Sequence, residues 1–229
     1  MTAAAWTADR LGDEGGPVLV VFIHGGFWRA LYGADTISPL AEACAAQAPK
    51  PWVWNIEYPR IGMEGGGWPG TAEAVGDAVA AALQEAAGRP VVLVGHSAGG
   101  HLALWAAGEH SVTDVVSLAG VTDLRSAART GLSRGAVYEL LGREPDNELY
   151  AAASPIERLP LGVPSLLIHG DDDENVPIDQ SRAYLAAALA AGDTCELHEL
   201  PGAEHFEVID PAGRAWPILR DRLVSVAGG

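Results

Sequence analysis

A chain of 229 residues, 48% of them hydrophobic and 19% charged, has room for one large single-core domain and little for a second. Its formal net charge of −16 argues against nucleic acid and anionic membranes as partners, since both would repel it. The longest apolar runs are strand-sized, and Met1 to Arg10 has neither a basic start nor an apolar core, so no membrane span and no signal peptide is expected and the default compartment is the cytoplasm.

Strand-like and helix-like segments alternate along the chain. Val18 to Ile23 reads as a strand. Ser38 to Ala48 reads as a helix, with Ser38 as N-cap and Pro39 at the first helical position. Trp52 to Ile56 is the next strand, and Thr71 to Ala87 is an alanine-rich helix between Pro69-Gly70 and Gly88. Pro90 to Val94 is a short, mostly β-branched strand, and Gly100 to Gly108 suits a buried helix. Asp114 to Leu118 is another strand, followed by a less regular stretch from Asp123 to Pro160 that is short enough to form only a small helical cap. Ser165 to Ile168 is a strand, Pro177 to Ala191 a helix closed by Gly192, Cys195 to Leu200 the last strand and Trp216 to Val226 a terminal helix. Such alternation predicts an α/β fold, a mostly parallel sheet with helices on both faces, whose chemistry collects on loops beyond the carboxyl ends of the strands. Cys44 and Cys195 are far apart and read as small buried hydrophobes, and no His/Cys spacing resembles a zinc site.

Four segments that follow predicted strands carry the chemistry. Gly95-His96-Ser97-Ala98-Gly99 places a serine on a sharp strand-to-helix turn, where the residues two before and two after must be small. His24-Gly25-Gly26-Phe27-Trp28 is a loop whose glycines let backbone N–H groups face a cavity; Gly26 and Phe27, with Ala98 after the serine, are the candidate oxyanion donors. His24 then braces the loop by hydrogen bonding. His169 to Pro177 holds four consecutive acids, of which Asp173 is preferred as the orienting carboxylate because the loop must turn back there into a helix. Asp172 and Asp171 are fallbacks, and Asp123, one strand earlier, is a rival. His205, in a short loop after the last strand, is the candidate base, giving the chain order Ser, Asp, His. Of the other histidines, His96 and His101 pack beside the turn, His169 ends a strand, and His110 and His198 lie on the surface. Phe27, Trp28, Tyr32, Trp68 and Tyr138 sit in segments able to line a substrate pocket.

Together His24 to Trp28 and Gly95 to Ala103 resemble the α/β-hydrolase superfamily, in particular the esterase branch that includes kynurenine formamidases and small feruloyl- and acyl-esterases. Glu57-Tyr58-Pro59-Arg60, Gly65 to Pro69, and Ser154-Pro155 before Pro164 extend the resemblance from about Val18 to Pro211. The acidic run around Asp173 departs from the single acid usual in a His-Gly-x-x-Asp loop, and Pro59 stands where a second basic residue is frequent.

The expected chemistry is acyl transfer to water: Ser97 attacks a carbonyl, His205 moves the proton, Asp173 orients the imidazole, and no metal or organic cofactor is needed. A small-molecule ester, short-chain or aryl, is the expected substrate, with a formamide such as N-formylkynurenine as the alternative. A peptidase is the second enzymatic option, disfavoured because the length leaves no propeller or other gating domain. A ligand-binding module on the same fold is the non-enzymatic alternative, but such proteins typically lose a member of the Ser, Asp, His set. The protein is expected to be a monomer or homodimer.

Overall fold

The computed structural model describes residues 6–144 and 146–228. The reading of the N-terminus as leaderless falls partly on residues 1–5, outside the described residues. Seven strands form one sheet: β1 (Thr7–Gly12), β2 (Leu19–Ile23), β3 (Trp52–Glu57), β4 (Val91–His96), β5 (Asp114–Leu118), β6 (Ser165–Gly170) and β7 (Cys195–Leu200). Their order is β1-β3-β2-β4-β5-β6-β7, with β1 antiparallel to β3 and every other pair parallel. This is the α/β-hydrolase fold.

The period of two along each strand divides the core between the sheet faces. Leu19, Val21 and Ile23 of β2, with Val91 and Leu93 of β4, bury against α2 (Gly70–Ala86) and α3 (Ala98–Ala107). Val20, Phe22, Val92 and Val94 face the other way, against α1 (Ser38–Ala46) and α8 (Ala215–Gly228). In α2 the buried Ala72, Val75, Val79, Ala82 and Ala86 recur at spacings of three and four, and that stripe makes the segment helical against the sheet. Because both faces are covered, the central strands read as continuous apolar runs.

Two local expectations are corrected. Ser38 is not the N-cap of α1; Ile37 takes that place, and Ser38 lies inside the helix, its Oγ donating to the Ala34 carbonyl at 3.0 Å and accepting from Asn55 Nδ2 at 2.9 Å. Strand β1 escaped the sequence reading because it is an edge strand with mostly exposed residues. Its Arg10 pairs with Glu85 of α2 and covers the Trp54 ring at 4.4 Å. Cys44 and Cys195 are free and buried. His198 is exposed, whereas His110 is half-buried beside Gly76 of α2 rather than on the surface.

The stretch 123–160 carries α4 (Leu124–Arg129), α5 (Ala136–Leu141) and α6 (Asn147–Ala153). These helices are tied to the loops around the carboxyl end of the sheet. Arg29 bridges to Glu139 at 2.7 Å, the Trp68 N–H donates to the Leu140 carbonyl at 2.7 Å, and His101 Nε2 donates to the Ala153 carbonyl at 2.9 Å. The segment between β6 and β7 is completed by α7 (Asp179–Ala191).

Candidate active site

Ser97 joins β4 to α3 with φ 56° and ψ −119°, a left-handed region that an L-residue enters only under constraint. The constraint is close backbone packing. A Cβ on Gly95 would stand 2.1 Å from the Gly99 carbonyl oxygen, and one on Gly99 would stand 2.0 Å from that of Ile23. Only glycine fits at either place, so the turn is as sharp as its spacing predicts. The Ser97 N–H is held by the Leu118 carbonyl at 2.9 Å, which leaves the side chain to face the cleft.

The loop after β2 carries three successive residues at positive φ: Gly26 (110°), Phe27 (51°) and Trp28 (60°). Among the described residues no hydrogen bond takes the N–H of Gly26, Phe27 or Ala98. Ala98 opens α3, so its N–H has no partner within the helix. His24 braces this loop from beneath: its Nδ1 lies 2.7 Å from the Gly25 carbonyl, its Nε2 lies 3.0 Å from Glu57 Oε1, and its ring stacks on Tyr58 at 4.3 Å. The Tyr58 hydroxyl donates to the His24 carbonyl at 2.6 Å. Burial pushes the Glu57 carboxyl up, but His24, the Ala34 N–H and Arg60 outweigh it and hold Glu57 below its ordinary value. Arg60 pairs with Glu57 at 3.1 Å and donates to the Tyr32 carbonyl, so one buried ionic group pins both ends of the loop.

On the opposite side His205 Nδ1 donates to Asp173 Oδ2 at 2.6 Å. Both side chains are buried. Asp173 Oδ1 accepts the N–H groups of Asn175 and Val176, each at 2.8 Å. Burial raises the Asp173 carboxyl, yet the hydrogen bonds from His169 and His205 prevail and keep it well below the usual carboxylate range. It is therefore ionised at neutral pH. Its neighbours in the acidic run differ: Asp171 accepts the Gly202 N–H at 2.5 Å, and Asp172 and Glu174 are exposed. Asp123 caps α4 by accepting the Ser126 N–H at 2.8 Å, so it is committed elsewhere.

Ser97 and His205 line one cleft of about 100 Å³, together with Gly25, Gly26, Phe27, Tyr32, Thr36, His96, Asn175 and Phe206. A second cleft of about 200 Å³ adjoins it, sharing Asn175, His205 and Phe206 and adding Asp172, Glu174 and Glu204. The His96 ring packs at a tilt against His205, centroids 4.6 Å apart, and donates from Nε2 to its carbonyl at 3.1 Å. Burial, reinforced by His205, pushes His96 down to about 3, so it is neutral there.

Of the aromatic pocket candidates, Phe27 and Tyr32 line the cleft and three do not. Trp28 is fully buried, its indole N–H on His101 Nδ1 at 3.2 Å, because positive φ turns it into the core. Trp68 packs edge-on against Trp105 at 5.6 Å, and Tyr138 is on α5. Thr36, Asn175 and Phe206 were missed. Phe206 directly follows His205, which was signal enough to include it; Thr36 and Asn175 carry no pattern that marks them.

A model of the prolyl oligopeptidase family matches residues 74–216. Esterase LipC of Mycobacterium tuberculosis is 30% identical over 242 aligned positions, which cover 90% of this chain and 57% of that protein. The chain thus spans little more than half the length of this curated relative. Among solved structures, an acetyl ester-xyloside bifunctional hydrolase from Caldicellulosiruptor lactoaceticus superposes with TM-score 0.79 at 18% identity, over 96% of this chain and 87% of the other. Esterase 2 of Thermogutta terrifontis superposes with TM-score 0.76 at 23% identity, over 96% of this chain and 89% of the other. Both likenesses are of fold.

Proposed function

The chain belongs to the prolyl oligopeptidase family, and on that footing we propose that it is a serine hydrolase of small carboxylic esters working through an acyl-enzyme. The observation that carries this reading is the short bond between ionised Asp173 and His205, whose imidazole shares one cleft with Ser97. Asp173 holds the Nδ1–H, so the tautomer leaves Nε2 free to take the Ser97 proton. Ser97 Oγ attacks the carbonyl carbon, and the N–H groups of Gly26, Phe27 and Ala98 receive the negative charge that develops on oxygen. The imidazolium then protonates the leaving alcohol. In the second half His205 draws a proton from water, the hydroxide attacks the acyl carbon, and Ser97 is restored.

Esterase rather than peptidase chemistry is favoured by the curated relative, which is named as an esterase, and by the size of the cleft. A cavity of about 100 Å³ is smaller than one of ~150 Å³ known to take a benzene ring, so it suits a short acyl group. The aromatic side chains of Phe27, Tyr32 and Phe206 edge this cavity, and Phe206 also lines the adjoining cleft of about 200 Å³, where a planar leaving group has room. They support aryl esters and, as a second reading, aryl formamides such as N-formylkynurenine.

The test is a hydrolysis panel of p-nitrophenyl esters of rising acyl length, a feruloyl ester, N-formylkynurenine and a proline-containing peptide amide. It is paired with fluorophosphonate labelling. The proposal expects short esters to lead and the label to sit on Ser97. Near-native rates in Ser97→Ala would overturn it, and a leading peptide amide would replace ester with peptidase chemistry.

A further inference from the structure

We propose that His169 is a positioning residue for the reaction, acting through the Asp173 carboxylate; this rests on the serine hydrolase reading above. His169 closes β6 and is fully buried. Its Nε2 lies 3.2 Å from Asp173 Oδ2 and 2.9 Å from the Val176 carbonyl oxygen. Both neighbours only accept, so Nε2 carries its hydrogen: it bonds the Val176 carbonyl and presents the same N–H edge to Oδ2 at 3.2 Å. Its Nδ1 lies 2.7 Å from Ser181 Oγ on α7, where the hydroxyl donates.

The consequence is a carboxylate whose two oxygens each face two N–H groups. Oδ1 takes two backbone N–H groups, and Oδ2 takes His205 Nδ1–H on one side and lies 3.2 Å from His169 Nε2 on the other. The backbone donors alone leave Oδ2 supported only by His205, the group it has to orient. His169 supplies the fixed donor that sets where Oδ2 sits, and Ser181 sets the orientation of His169. A chain of polar contacts therefore runs from α7 through β6 to the imidazole that shares the cleft with Ser97. Neither His169 nor Ser181 lines the cleft, so His169 moves no substrate proton. Its place is to hold the carboxylate plane so that the His205 ring faces the serine.

Removing the donor while keeping the bulk tests this. His169→Leu is expected to lower kcat by about 10- to 100-fold, since small misplacements of a reacting group cost that much, with KM changed by less than about twofold. His169→Gln, whose amide reaches close to the Nε2 position, is expected to recover most of the loss. Ser181→Ala is expected to give a smaller fall in kcat in the same direction. In an Asp173→Asn background His169→Leu is expected to cost nothing further, because the carboxylate it serves is gone.

A variant that melts earlier but keeps kcat overturns the proposal, as does a full additive loss in the Asp173→Asn background or a glutamine variant no better than leucine. If His169→Leu does not fold, Ser181→Ala and His169→Gln decide: an unchanged kcat in the first or an inactive, well-folded second overturns it. Ser97→Ala separates the two claims. Activity retained there sinks the serine hydrolase reading itself, whereas an inactive Ser97→Ala beside a fully active His169→Leu sinks only the role of His169.

Discussion

The close approach at Gly99 makes Gly99→Ala a sharp perturbation. The added Cβ would lie 2.0 Å from the Ile23 carbonyl oxygen and 2.4 Å from that of His24. Ordinary carbon-to-oxygen contacts begin at about 3.3 Å, so the start of α3 and the end of β2 must part by roughly 1.3 Å. Both obstacles are backbone of a central strand, and neither can swing aside as a side chain would. Overpacking of this kind costs about 1–3 kcal/mol or more, which in a domain of this size lowers Tm by about 2–4 °C per kcal/mol. The chemistry suffers separately. Ser97 and Ala98 lie on the α3 side of the seam and the loop from Gly25 to Phe27 on the β2 side, so under the proposed mechanism Ser97 moves relative to the Gly26 and Phe27 N–H groups that would receive the oxyanion. A displacement near 1 Å is worth about 10²-fold in rate. The assay is kcat/KM on a short p-nitrophenyl ester at a temperature where melting curves show the variant folded. Gly162→Ala is the control, since its Cβ meets nothing within 4 Å and only its φ of 72° is disturbed. A folded Gly99→Ala within about threefold of wild type would refute the geometric argument for the turn.

Three further outcomes are expected. Tyr32 lies against Gly26, where an added Cβ would meet the Tyr32 Cβ at 2.5 Å, so Tyr32→Ala widens the cleft. It should raise the butanoate-to-acetate ratio of kcat/KM by about tenfold, and an unchanged ratio would remove Tyr32 from the acyl side. Asp172, Glu174 and Glu204 give the adjoining cleft a negative rim, so cationic esters should outpace anionic ones of equal size at low salt. That advantage should shrink as ionic strength rises, and equal rates at low salt would show the rim to be irrelevant. Asp114 is buried beside Arg222 at 2.7 Å, and burial pushes it up to about 6 although Arg222 opposes the shift. Because the folded state then holds a proton the unfolded state has released, the contribution of Asp114 to stability falls as pH rises from about 4 to about 6, by of order 2–3 kcal/mol. Urea titrations of wild type and Asp114→Asn should diverge across that window and run parallel above it; a pH-independent difference would contradict the assignment.

The elbow was readable because its glycines are demanded by backbone contact within a few residues, which leaves a local mark. The parallel strands were readable because burial on both faces makes them uniformly apolar. Other features depend on what lies far away in sequence. The run from Asp171 to Glu174 offers four chemically similar acids, and only the folded loop turns Asp173 inward while Asp171 bonds Gly202. Trp28 looked like a pocket wall because it adjoins Gly26 and Phe27, but a positive φ at each of three residues rotates its indole into the core toward His101. The edge strand β1 left no apolar alternation, since it is held by backbone pairing with β3 and by its own Arg10 lying over Trp54 rather than by a row of buried apolar side chains.

The same distinction applies to the histidines, which residue type alone cannot sort. His24 holds the Gly25 carbonyl, and because the C=O and N–H of a peptide point in opposite directions, fixing that carbonyl turns the Gly26 N–H away from His24. His96 holds the carbonyl of His205, and His169 holds the carboxylate that orients its ring. Each of the three loops around the cleft thus has a buried imidazole fastening a backbone or carboxylate oxygen. Imidazole suits this work: it presents a rigid ring with two directed nitrogens and fills apolar space while making polar contacts. The strained backbone at Phe27, Trp28 and Ser97 persists because these bonds and the close glycine contacts restrict each loop more tightly than relaxation of φ could relieve it.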